Sequence, residues 1–138
     1  MTIEGVHHIG LLVRDARAAA ERLRAALGLE VTAWEDYGPG LARIGFIPLA
    51  GTMLELVEPL TSTGVGADWL RERGEGIQHI AFQVDDIRAA IKTLKARGVA
   101  LQDDEPRPGA ANTLIAFLAH ETVDGYLVEL VQPPKQSG

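Results

Sequence analysis

Four residues combine the chemistry and the spacing of a metal site: His8, Glu55, His79 and Glu129. The histidines are 71 positions apart and the glutamates 74, and each lies in matching surroundings, VHHIG with IQHIA and LELVEP with VELVQP. Two imidazole nitrogens and two carboxylate oxygens form a donor set of intermediate hardness, suited to one divalent ion of cobalt, manganese, nickel, iron or zinc. The sequence has no cysteine, so any metal must sit on nitrogen and oxygen. Any one of these residues taken alone reads more simply as a half-exposed strand histidine or a glutamate paired with arginine. Their recurrence at equivalent places favours the metal.

The recurrence is part of an internal repeat. HHIGLLVRDARAAAERLRAALGLEV and QHIAFQVDDIRAAIKTLKARGVAL open the two copies, and GTMLELVEP and GYLVELVQP close them. Each begins with an apolar, β-prone run, then an aspartate, then a helical pattern: Ala16, Ala19, Leu23 and Leu27 in the first, Ile87, Ala90, Ile91 and Leu94 in the second. Asp15 and Asp86 suit helix N-caps, and Gly28 and Gly98 fall where helices end. Three more strands are expected after each helix, near 30–35, 41–48 and 52–58, then 100–103, 113–119 and 125–131. A connector over about 61–75 has a helical turn or two at Asp68 to Arg73.

This predicts an α+β fold of two tandem βαβββ modules, about 4–60 and about 76–134, in a single domain over 1–138. One four-stranded module would leave a sheet face bare, so the modules are expected to share a partly closed mixed sheet around a concavity. Side chains alternate across a strand, so the apolar Ile9, Leu11 and Val13 face the helix and His8 faces away. Glu55 between Leu54 and Leu56, and Glu129 between Val128 and Leu130, are placed likewise. Carboxylates and imidazoles in a concavity need compensation, which a divalent ion supplies.

A net charge of −6 argues against a polyanion-binding surface, so nucleic acid is not an expected partner. There is neither a leader-like N-terminus nor an apolar run long enough to span a bilayer, and a cytoplasmic location without membrane contact is expected.

With these motifs in place, the sequence resembles the vicinal-oxygen-chelate superfamily, which includes glyoxalase I, extradiol dioxygenases and fosfomycin-resistance proteins. It is most similar there to the methylmalonyl-CoA epimerases, through VHHIGLLVRD, LELVEPL, GEGIQHIAFQVDDI, DEPRPGA and VELVQP. The resemblance implies that His8, Glu55, His79 and Glu129 are the metal ligands. It also implies an isomerase that inverts the α-carbon of a methylmalonyl-CoA-like acyl thioester, with Glu129 as one acid–base group, and self-association as a homodimer. The alternatives are a glyoxalase I-like lactoylglutathione lyase and a non-catalytic binding or resistance protein. Glu55 as a fourth ligand speaks against an extradiol dioxygenase, which uses two histidines and one carboxylate.

Two departures bear on mechanism. Where some epimerases carry a second glutamate the sequence reads YGPGLARIGF, with Arg43 near that position, and arginine is not a base at ordinary pH. Glu35 and Asp36 lie nearby, but both read first as a solvated loop end, so the second base stays unassigned. In FLAHETVDGY the family's lysine is missing, which leaves Arg107 and Lys135 for CoA phosphates. Trp34, Tyr37 and Trp69 read as packing residues.

Overall fold

The computed structural model describes residues 1–122 and 125–135. In order, its elements are β1 (Ile3–Leu12), α1 (Ala16–Leu27), β2 (Ala33–Tyr37), β3 (Ala42–Leu49), β4 (Thr52–Pro59), α2 (Val65–Arg73), β5 (Gly76–Val84), α3 (Ile87–Ala96), β6 (Arg107–Pro108), β7 (Leu114–Phe117) and β8 (Leu127–Gln132). The fold is α+β, with parallel and antiparallel ladders. The chain divides into two compact units, residues 8–78 and residues 1–7 with 79 onward. No helix among the described residues is long and apolar enough to cross a membrane.

In the unit of residues 8–78 the strand order is β2-β3-β4-β1. β1 runs parallel to β4 with Gly10 opposite Glu55, and β3 pairs antiparallel with both β4 and β2. Val13, Ala16, Ala19, Ile47 and Leu56 form the core between sheet and α1, ringed by Leu11, Leu23, Leu54 and Trp34. Asp15 caps α1 by accepting from the Ala18 amide at 3.0 Å. Gly28 ends the helix at φ 70°, a left-handed conformation in which a Cβ would be strained.

The other unit has the order β5-β8-β7-β6, with the first residues of β1 beside β5. There Gln83 Nε2 donates to Glu4 Oε1 at 3.1 Å. β5 and β8 are parallel, and β7 is antiparallel to its neighbours. Val84, Ala116, Leu118 and Leu130 pack on Ile87, Ala90, Ile91 and Leu94 of α3, so the second helical stripe lies as expected. Asp86 caps α3 through the Ala89 amide at 3.1 Å.

The expected elements differ from this in four places. β2 starts three residues late, and Leu29 and Val31 ahead of it pack into the α1 core. Leu27 is 69% exposed and lies off the buried stripe. α2 begins at Val65, ahead of the expected turn, and Gly64 at its N-cap gives no side-chain bond that would mark the start in sequence. Residues 100–103 form a single bridge, Leu101 to Leu118, in place of a strand. The Asp103 carboxylate takes the Phe117 amide at 2.9 Å, and the edge strand forms later, at Arg107–Pro108.

Candidate metal centre

Each unit holds a buried histidine–glutamate pair. On β1 and β4, the pairing of Gly10 with Glu55 puts His8 one pleat away on the same face. His8 Nδ1 lies 3.1 Å from Glu55 Oε2. The flanking Leu54 and Leu56 turn the other way, into the α1 core. On β5 and β8, Ala81 is opposite Glu129, which places His79 on the face of Glu129. His79 Nε2 is 3.1 Å from Glu129 Oε2. All four residues are buried.

Burial governs their protonation. It pulls the His8 imidazole from 6.5 down to about 4, despite the carboxylate beside it. Burial likewise pushes the Glu129 carboxyl above its ordinary 4.5, against the opposing pull of His79, Arg107 and His7, while Asp103 adds to the rise. A neutral imidazole is the form that binds a metal, and a cation relieves a desolvated carboxylate. In each pair the ligand atoms are close enough to share an ion. The donor chemistry and the burial of both pairs fit a divalent cation.

A chain of contacts supports the second pair. Phe117, opposite Glu129 in the β7–β8 ladder, meets the His79 ring edge-on, with centroids 5.6 Å apart and planes at 86°. The Arg107 guanidinium lies 5.6 Å from the Phe117 ring centroid and donates from Nε to Asp103 Oδ1 at 3.1 Å. Lys135 is elsewhere, on an open cavity of about 410 Å³ with Glu4, His7, Asp85 and Gln132. Residues 123–124 of the FLAHETVDGY stretch lie outside the described residues.

Near the expected second base the structure changes the reading. Arg43 is opposite Glu58 in the β3–β4 ladder, and its Nη1 is 3.2 Å from Glu58 Oε2. Glu58 Oε1 accepts the Ala16 amide at 2.8 Å, so the pair belongs to the α1 side of the sheet. The face of Glu55 receives Ala42, Ile44 and Phe46 from β3, with no acid or base among them. Asp36 is exposed and takes the Gly40 amide at 2.9 Å, as a turn residue does. Glu35 is no loop end: it is half-buried within β2.

Trp34 lies on the α1 side, with the Arg17 guanidinium 4.7 Å from its ring centroid, and Trp69 is covered by Arg73 at 4.1 Å. Both are packing residues, as expected. The sequence reading missed Glu58 and its counterpart Gln132, whose Oε1 takes the Ile87 amide at 2.9 Å. The repeat held the signal, since each is the residue before the closing proline of its copy.

Residues 7–117 match the family model described as the glyoxalase/bleomycin resistance protein/dioxygenase superfamily. The ethylmalonyl-CoA/methylmalonyl-CoA epimerase of Cereibacter sphaeroides is 37% identical over 129 residues, 92% of this chain and 96% of that protein. A solved methylmalonyl-CoA epimerase in complex with methylmalonyl-CoA and ammonium superposes with a TM-score of 0.89 at 32% identity, covering 96% of each chain. A variant of the Streptomyces coelicolor methylmalonyl-CoA epimerase in complex with 2-nitronate-propionyl-CoA gives 0.91 at 31% identity and 99% of each chain.

Proposed function

The chain belongs to the glyoxalase/bleomycin resistance protein/dioxygenase superfamily, and from that membership we propose that it is a metal-dependent epimerase of methylmalonyl-CoA or a closely similar acyl thioester. By kinship at this level it is an isomerase. The observation that carries the reading is the duplicated buried pair, His8 with Glu55 and His79 with Glu129, each at 3.1 Å.

In this proposal the four residues hold one divalent cation between them. When bound, it supplies positive charge to the thioester and carboxylate oxygens of the substrate, where negative charge develops as the α-proton leaves. Burial keeps His8 neutral and ready to ligate at neutral pH. Glu129 has a second task, to take or return the α-proton on one face of the substrate, and a raised pKa makes it a better proton acceptor. Phe117 against His79 fixes the ring and keeps water from the pair. Arg107, anchored by Asp103 beside Phe117, offers a guanidinium to a substrate anion.

The test is to supply a single epimer of methylmalonyl-CoA to the cobalt-reconstituted protein and follow the other epimer by stereospecific enzymatic consumption. Formation of the second epimer supports the reading. Metal-loaded protein that leaves the epimer unchanged, yet isomerises the hemithioacetal of glutathione and a 2-oxoaldehyde, contradicts it.

A further inference from the structure

We infer that Glu35 on β2 is the second acid–base group of the epimerisation, one strand away from where β3 offers none. The assignment rests on the epimerase reading above. Inverting a carbon through its enolate needs a proton acceptor on one face and a donor on the other. Glu129 provides for one, and the face of β3 that carries Ile44 provides nothing ionisable.

The ladders place Glu35 on the same face as Glu55. Directly opposed residues in an antiparallel pair share a face. Phe46 opposes Glu55, so Ile44, one pleat along β3, shares that face, and Ile44 in turn opposes Glu35. Its neighbour Trp34 confirms the parity from the other side. The Trp34 ring lies beneath Arg17 of α1 and against Gly45, where an added Cβ would come within 2.9 Å of it.

Glu35 lies two ladders and one pleat from Glu55, about 10 Å across the strands and about 7 Å along them, a gap for a substrate bound at Glu55 and a glutamate side chain to span together. Tyr37 shares the face but stands a pleat further along, opposite Ala42. Glu35 is thus the carboxylate of this sheet face that the metal pair does not use. Half-burial leaves it accessible to substrate and to the water that resets its proton.

The step balances without a further reagent. The α C–H bond breaks, its proton passes to one carboxylate, and the electron pair delocalises into the thioester carbonyl. A proton from the other carboxylic acid then forms the new C–H bond on the opposite face. One carboxyl ends protonated and the other ionised, and exchange with water restores both.

The experiment compares wild-type protein with Glu35→Gln, each supplied separately with the two epimers of methylmalonyl-CoA in deuterium oxide. Glu35→Gln should epimerise at least ~100-fold more slowly. It should still wash deuterium into one epimer at near the wild-type rate, and bind metal and melt as wild type does. Adding Ile44→Glu to this variant should return epimerisation, since the new carboxylate stands on the same face. Wild-type epimerisation by Glu35→Gln overturns the assignment, as does an equal loss of wash-in from both epimers with metal binding intact. If wild-type protein exchanges neither epimer, the epimerase reading itself fails, and the assignment with it.

Discussion

Arg43 Nη1 lies 3.2 Å from Glu58 Oε2, and the pair secures the β3–β4 ladder to the first turn of α1. Arg43 is partly exposed, so its charge contributes little, whereas Glu58 also satisfies an orphan helix amide. Arg43→Met is expected to lower stability by under about 1 kcal/mol and Glu58→Ala by about 1–2 kcal/mol. Glu58→Gln should keep most of the cap, because Gln132 already plays that part at α3. Urea unfolding of the three variants checks the order.

The metal-free protein should weaken on acidification through His8. The folded pKa of about 4 lies below the unfolded 6.5, so between these values the unfolded chain binds more protons and stability falls with pH. The full effect is about 3 kcal/mol. Glu129 acts in the opposite sense: its folded pKa is raised, so it contributes stability below 4.5 that is lost as pH climbs through the folded value. Unfolding of wild type and His8→Gln from pH 7 to pH 4 isolates the histidine. The wild type should lose more stability over that range, and parallel curves would contradict the expectation.

Zinc or cobalt should raise the melting temperature of chelator-treated protein, since a ligand that binds only the folded state stabilises it by about 2.7 kcal/mol at a concentration 100 times its dissociation constant. Glu55→Ala and His79→Ala should each abolish most of that rise. Full retention of the rise in both variants would remove these residues from the ligand set.

Leu56 is fully buried against α1, while Leu27 at the end of that helix is 69% exposed. Leu56→Ala should lower stability by about 2–5 kcal/mol and Leu27→Ala by well under 1 kcal/mol, as chemical denaturation will show. A similar loss from both would mean that the helical stripe read from the sequence, which included Leu27, describes the packing better than the structure does.

The parts of the fold legible in the sequence were those that local chemistry repeats. Asp15 and Asp86 announce their helices because a short carboxylate satisfies first-turn amides whatever surrounds it. The stripe of Ile87, Ala90, Ile91 and Leu94 matched the α3 core for the same reason, a period imposed by the helix. Long-range contacts left no such mark. Leu29 and Val31 are apolar residues that the α1 core claims, and the Asp103 carboxylate takes the Phe117 amide beside a single bridge. That His8 and Glu55 face away from the helix followed from alternation and the repeat, whereas their pairing rests on the register of β1 against β4. The face of Arg43 depended on the register of β3 against β4, which the sequence does not carry.

Metal-dependent epimerisation is tested by loss of the α-proton of methylmalonyl-CoA in deuterium oxide, followed by NMR with metal-reconstituted protein, metal-free protein and Glu129→Gln. The metal-loaded wild type should exchange, and exchange should fail without metal and in Glu129→Gln, which removes a proposed metal ligand together with a base. Tight metal binding without exchange in the wild type would contradict the epimerase reading.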